Sequence, residues 1–208
     1  MNQLSKSTIE QALKPYGIIA PASLCEQITT YIDLLLRWNK KTSLTTVTNP
    51  DEILRFHFGE SLIAAATVPI RNGRLADVGS GGGFPAVPIR MVSKDLSTIL
   101  IESNQKKATF LAEIVRELCL VNVEVRRCRM EEVHLEDENV DFVTARALGI
   151  DNRFLDWSHS SLSSEGSVVL WLGDADAGRI SLNAGWKWSD PIRIPQSDRR
   201  VILHGSKI

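Results

Sequence analysis

The chain has 208 residues, of which 43% are apolar and 24% charged, and its formal net charge is -1. This composition supports a buried core, excludes long disordered regions, and means that a nucleic-acid partner requires a local basic patch. The cysteines, Cys25, Cys119 and Cys128, have neither disulfide nor zinc spacing, and the histidines are dispersed, so we expect no metal site. No apolar signal core or membrane-spanning run is present, which predicts a cytoplasmic protein.

The first 70 residues predict a helical cap. Ser23 followed by Glu26 is typical of a capping box, and apolar residues then recur at helical spacing. Asn49 before Pro50 is a second helix start signal. We therefore expect residues 1–70 to form a helical N-terminal cap and residues 71–208 to form one compact α/β unit.

From residue 75 the apolar pattern changes to alternating strands and helices. Strand-like runs lie at 98–102, 123–127, 140–147 and 167–173, and the clearest amphipathic helix lies at 104–120. This alternation predicts a mostly parallel sheet with helices on both faces. Near the C-terminus, PIRIP and RRVILH flank a turn at 196–198, which predicts an antiparallel hairpin at one edge of the sheet.

A glycine loop, LADVGSGGGFP, joins the first predicted strand to a helix that we expect to open at Phe84-Pro85-Ala86, with the proline in its first turn. Glycine lets the backbone approach a ligand closely, and a strand, glycine turn and helix form the first unit of a nucleotide-binding fold. A dinucleotide fingerprint requires a third glycine where this chain has Phe84, so the loop favours a ligand without phosphates. Glu102, at the C-terminal end of the next predicted strand, can accept hydrogen bonds from both ribose hydroxyls. Together they point to S-adenosylmethionine, with a nucleotide-dependent oxidoreductase as an alternative.

Motifs along the chain resemble the RsmG (GidB) family of small-subunit ribosomal RNA methyltransferases in content and order. They are LLLRWNKKTSLTTVTNPDEILRFHFGESL, DVGSGGGFPAVPIRM, LIESNQKKATFL, RCRMEEV and DFVTARAL. The resemblance implies a class I S-adenosylmethionine-dependent (Rossmann-like) methyltransferase fold with a late antiparallel strand. It also implies methyl transfer to N7 of a guanine in 16S rRNA, as naked RNA or within the small ribosomal subunit.

The same resemblance implicates a set of cofactor-binding residues by motif position: Gly79, Gly81, Phe84, Glu102, Met130, Glu131 and Arg146. Arg146 is also the catalytic candidate, because its guanidinium can reach a guanine edge, a phosphate or the cofactor carboxylate. A structural salt bridge is the alternative for this arginine. We expect His57, on an apolar helix face, to be a hydrogen-bonded packing residue. We further expect a monomer that needs no metal and no membrane.

The chain departs from the family pattern at three positions, where it has Ser43, Phe56 and Leu172. Leu172 replaces a lysine, so a non-catalytic, ribosome-associated module that binds the cofactor remains an alternative. RNA contacts are expected from three basic clusters: Arg37 with Lys40 and Lys41, Arg126 with Arg127 and Arg129, and Arg199 with Arg200.

Overall fold

One mixed β-sheet forms the centre of the structure. The structure is a computed structural model that describes residues 4–135 and 137–208. Its strands are β1 (Asn72–Val78), β2 (Asp95–Ile101), β3 (Val123–Arg126), β4 (Val140–Arg146), β5 (Leu162–Gly173), β6 (Trp186–Trp188), β7 (Ile192–Arg193) and β8 (Arg200–Lys207). The strand order is β3-β2-β1-β4-β5-β8-β6, with β7 also paired to β8. The first five strands are parallel, as the sequence predicts.

The C-terminal strands run antiparallel to this core. The predicted hairpin is confirmed, because Ile192 and Arg193 pair with Ile202 and Val201 across the turn. β8 also pairs with β5 on one side and with β6 on the other. β6 was not predicted from the sequence, since a run of three residues carries too little periodicity to reveal a strand.

Eight α-helices connect or cover the strands in the described part of the chain. They are α1 (Lys6–Leu13), α2 (Ala22–Asn39), α3 (Pro50–Ile53), α4 (Glu60–Thr67), α5 (Ala86–Val92), α6 (Gln105–Glu117), α7 (Asn152–Ser161) and α8 (Asp174–Ile180). The predicted cap at Asn49 is confirmed, because its side chain accepts the N–H groups of Asp51 and Glu52. The predicted capping box at Ser23 is wrong: α2 already begins at Ala22, after Pro21, and has no side-chain cap.

The helices before β1 pack on one face of the sheet. Ile28 and Leu35 of α2, Leu75 and Leu100 of the sheet, and Phe110 of α6 belong to one buried cluster. A second cluster fills the opposite face beneath α7 and α8. Since the first cluster runs through both the cap and the sheet, the division at residue 70 stays a prediction. Within residues 4–135 and 137–208, no helix has the length and hydropathy needed to cross a membrane.

The strand register sets the position of the functional loops. Val78, at the end of β1, lies opposite Ile101 of β2 and Ala145 of β4. The glycine loop after β1 and Glu102 after β2 therefore emerge side by side at the carboxyl edge of the sheet, where open α/β sheets bind ligands.

Candidate active site

A cavity of about 440 Å³ opens at this carboxyl edge. It lies at the ends of β1 and β2 and between the loops that follow β3 and β4. Its lining includes Val78, Gly79, Ile101, Glu102, Cys128, Arg129, Met130, Glu131, Leu148 and Asp151. Four of the predicted cofactor residues, Gly79, Glu102, Met130 and Glu131, are therefore brought together around one space. Its volume is in the usual range for small-molecule sites.

Glu102 is hydrogen-bonded directly to the glycine loop. Its Oε2 accepts the Gly81 N–H at 2.9 Å, and its Oε1 accepts the Asn104 N–H at 2.7 Å. Gly79 and Gly81 have φ values of 71° and 53°, which side chains rarely tolerate. A carboxylate oxygen has two acceptor sites, so each oxygen of Glu102 keeps one for a ligand. The loop and the acid thus form one rigid unit that fits a ribose diol.

Met130 and Glu131 lie on a 3-10 turn, Met130–Glu132, at the other side of the cavity. The turn is closed by Glu132, whose Oε2 accepts the Arg129 N–H at 2.9 Å. Met130 is half-buried and packs against the second core cluster, whereas Glu131 is exposed. A polarizable thioether fixed by the core provides an apolar surface for a flat aromatic ring.

Asp77 is a functional candidate that the sequence indicated only as a polar residue at a strand end. It is 1% exposed, and its Oδ1 accepts a hydrogen bond of 2.6 Å from the Thr144 hydroxyl. Its Oδ2 has no hydrogen-bond partner within the described part of the chain, and burial raises the pKa of the carboxyl to about 7. An unpaired buried acceptor next to Val78 and Gly79 fits a donor group of a bound ligand. The sequence does not show that the Asp77 carboxyl is buried, and this burial is what marks it as a functional candidate.

Phe84 lies outside the cavity lining. Its ring stacks on Tyr31 at 5.1 Å and on His57 at 4.7 Å, and meets Phe58 edge to face. The side chain therefore anchors the glycine loop to the cap. The predicted cofactor contact of Phe84 stays a prediction.

Arg146 also lies outside the lining, in a buried ionic cluster between the cap and the sheet. Its Nη2 is 3.0 Å from Glu60 Oε2 and also donates to the carbonyl of Phe56. Glu60 Oε1 lies 2.7 Å from Arg200, whose guanidinium sits over the Phe56 ring. Burial raises the pKa of Glu60, although both arginines oppose the shift. The salt bridge considered for Arg146 is present, while its Nη1 is buried with no hydrogen-bond partner among the residues that the structure describes.

His57 is a packing residue in this structure. Its Nε2 is 2.7 Å from the Thr45 hydroxyl, and its ring lies on Phe84. Burial, with a smaller contribution from Arg146, lowers its pKa to about 4, so the imidazole is neutral at neutral pH. Across the described residues, no cluster of three histidine, cysteine or acidic side chains has the geometry to hold a metal ion.

Comparison with known proteins gives the family. The sequence profile of the family described as rRNA small subunit methyltransferase G matches residues 24–184. The chain belongs to this family. A member from Xanthomonas campestris is 35% identical over 187 residues, which are 88% of this chain and 87% of that protein. A member from Nitrosomonas europaea is 39% identical over 135 residues, 65% of this chain and 62% of the relative, so that match spans less than two thirds of the relative's length.

Solved structures agree with the fold of the family. A SAM dependent methyltransferase from Aquifex aeolicus superposes with a TM-score of 0.64 at 18% identity, covering 76% of this chain and 93% of the other. Precorrin-6y C5,15-methyltransferase from Geobacter metallireducens has a TM-score of 0.57 at 14% identity, covering 71% and 87%. The predicted class I methyltransferase fold is confirmed.

Proposed function

We propose that this protein transfers the methyl group of S-adenosylmethionine to N7 of a guanine in 16S rRNA. The observation that carries the proposal is the hydrogen bond from the Gly81 N–H to Glu102, an acid that lines the cavity. It joins a glycine loop suited to a ligand without phosphates to the acid that we propose to bind the ribose. Membership of the rRNA small subunit methyltransferase G family supports the substrate class. The choice of guanine N7 rests on the RsmG resemblance of the motifs.

Each side of the cavity has a part in this proposal. Glu102 holds the ribose hydroxyls, while Gly79 and Gly81 let the backbone lie against the methionine end. Met130 packs along the adenine, and Glu131 is near its amine. These assignments use the acceptor sites left free on Glu102 and the apolar surface of Met130.

Three further residues, two at the buried cap interface and one at the end of β1, belong to the proposed site. Phe84 contributes through its backbone, with its ring holding the loop in place. The unpaired Nη1 of Arg146 is the donor that we propose for a guanine edge, a phosphate or the cofactor carboxylate. The unpaired Oδ2 of Asp77 is proposed to accept from the methionine ammonium, directly or through water.

The chemistry requires positioning rather than proton transfer. S-adenosylmethionine supplies an electrophilic methyl group on a sulfonium, and guanine N7 has an in-plane lone pair and no proton to lose. The chain therefore needs no general base, and holding the reactants in line is its main contribution. N7 is hidden in the deep groove of an A-form helix, so the target is expected in a loop or extruded from the stack. The function implies the cytoplasm, where ribosomal RNA is modified, and requires only one copy of the chain.

Neither alternative has an observation in its favour. The strands of a dinucleotide-binding sheet are mostly parallel, whereas β8 is antiparallel to both β5 and β6 here. Leu172, where the family has a lysine, is 9% exposed and belongs to the second core cluster. Leucine is thus a packing residue at this position, and the lost lysine does not argue against catalysis.

The test combines cofactor binding with product mapping. Glu102→Gln removes the charge that strengthens the ribose hydrogen bonds, so we expect calorimetry to give a Kd for S-adenosylmethionine raised about 10- to 100-fold, equivalent to about 1.4–3 kcal/mol. Glu117→Gln, an exposed acid at the far end of α6, is the control and should bind like wild type.

The product is mapped on small ribosomal subunits from a strain that lacks this gene. Borohydride and aniline cleavage of the 16S rRNA reports N7-methylguanine after incubation with wild-type protein. No cofactor binding by wild type, or a methyl group without cleavage at a guanine, would refute the proposed function. Cofactor binding without any methyl transfer would support the non-catalytic module instead.

A further inference from the structure

A second cavity, of about 490 Å³, lies between the C-terminal end of α2 and the first turns of α6. It is lined by Leu34, Arg37, Trp38, Lys41, Thr42, Lys106 and Glu113, and shares no residue with the lining of the cofactor cavity. We call it the α2/α6 cavity. Its walls combine apolar surface with several cations, a composition that neither the cofactor site nor the core requires.

The charge of the α2/α6 cavity is not compensated. Arg37, Lys41 and Lys106 are exposed and, among the residues that the structure describes, none of them forms an ion pair. Among the described residues, Glu113 is the single carboxylate of the lining, and its Oε2 already accepts the indole N–H of Trp38 at 3.1 Å. Three cations therefore face one acid, which favours an anionic ligand.

The structure distinguishes this cluster from the other two basic clusters of the sequence. Arg126 is bound by Glu124 and Glu138 at 2.8 and 2.7 Å. Arg200 is held by Glu60 at 2.7 Å. The cluster around Arg37 supplies two residues, Arg37 and Lys41, to the lining of a cavity that is separate from the cofactor site.

The α2/α6 cavity adjoins the glycine loop. Leu35, within the segment that lines it, and Leu44, two residues after that segment, lie close to Gly82: a Cβ built at Gly82 would lie 3.6 Å from Leu35 Cδ1 and 3.7 Å from the Leu44 carbonyl oxygen. Lys106 lies in the first turn of α6, next to the Asn104 cap that bonds Glu102. A polymer whose reactive base enters the cofactor site can therefore extend over this cavity.

We propose that the α2/α6 cavity binds a nucleotide of the 16S rRNA next to the target guanine. Arg37, Lys41 and Lys106 contact its phosphates, and the half-buried Trp38 ring offers a face for its base. Lys and Arg around an aromatic ring are the usual means of holding unpaired RNA. This inference rests on the proposed function and adds a surface that binds the RNA beside the reacting base.

The test is a triple variant, R37Q/K41Q/K106Q, with the matched control K14Q/R71Q/K187Q. The control removes the same charge from exposed residues outside both cavities. We expect the α2/α6 variant to raise the KM for small ribosomal subunits at least about 10-fold. The slope of log affinity against log salt should fall by about 2, because each phosphate neutralised on single-stranded RNA contributes about 0.7 to it. Its kcat at saturating subunits and its Kd for S-adenosylmethionine should match wild type, and the control should keep the wild-type KM.

The outcomes separate the two proposals. Wild type that transfers no methyl group would refute the proposed function. Active wild type, with a triple variant that matches the control in KM and salt slope, would overturn the α2/α6 inference alone. Filter binding to deproteinised 16S rRNA is the second arm: a loss on subunits with unchanged binding to this RNA would mean that the cavity docks a ribosomal protein, which also overturns the inference.

Discussion

Glu60 is the residue whose neutralisation tests the energetics of the cap interface most directly. Its side chain is 2% exposed and lies 3.0 Å from Arg146 and 2.7 Å from Arg200. Glu60→Gln keeps the size of the side chain and removes its charge. Arg146, with a side chain only 14% exposed, then loses its sole carboxylate partner among the described residues.

The size of the effect follows from this burial. Removing one member of a buried ion pair costs about 3–5 kcal/mol, because the remaining charge is desolvated without compensation. We expect the lower end of this range, about 3 kcal/mol. Burial already raises the pKa of Glu60, so the two arginines only partly offset the cost of burying its charge. Arg200 is 40% exposed and can be solvated, so it adds little. For a chain of 208 residues such a loss lowers Tm by at least about 6 °C.

Urea unfolding followed by circular dichroism measures this free energy. The control is Asp174→Asn, which breaks the pair with Arg193 at 2.8 Å, where the side chains are 42% and 64% exposed. Solvent screens that pair, so the control should lose less than about 1 kcal/mol. Equal losses in the two variants, with unchanged m-values, would show that the Glu60 cluster does not hold the cap on the sheet.

Three further variants test individual contacts. Gly83→Ala, at φ 87°, should lower the free energy of unfolding by more than about 2 kcal/mol, because its Cβ would overlap the Tyr31 hydroxyl. The control Gly149→Ala has open space around its Cβ and should keep the wild-type stability. Equal Tm values for the two variants in thermal unfolding would contradict this. The folded pKa of Asp77, raised to about 7, means that its protonated form stabilises the fold at low pH and that this contribution is lost as pH rises from about 4 to 7. The free energy of unfolding of Asp77→Asn should therefore rise relative to that of wild type by up to ~1.4 kcal/mol per pH unit between pH 5 and 7. A difference in stability between the two proteins that does not change with pH would refute the raised pKa. His57, with its pKa lowered to about 4, acts in the opposite sense: wild type loses stability as pH falls from about 6.5 to 4, and His57→Gln should lack that loss in the same pH titration.

The fold was largely predictable because its signals are local. The strand at 140–146, the helix that Asn104 caps and the glycine loop each depend on residues adjacent in the chain. Glu102 was predictable as well, because chain order alone puts the ends of β1 and β2 at one edge of a parallel sheet. The start of α2 was misplaced, since a Ser-x-x-Glu spacing also occurs inside a first helical turn.

Periodicity and motif order in the sequence were enough to predict the class of fold, the family and the placement of the glycine loop and Glu102 at one ligand site. The partners of side chains came from contacts between distant parts of the chain: Arg146 meets Glu60 across 86 positions, and Phe84 turns its ring to Tyr31 rather than to the cavity. The free cations around Trp38 were likewise separated from those already paired by the folded arrangement alone. Burial and ion pairing depend on which surfaces the fold brings together. Periodicity and local motifs in the sequence do not show which distant surfaces will meet.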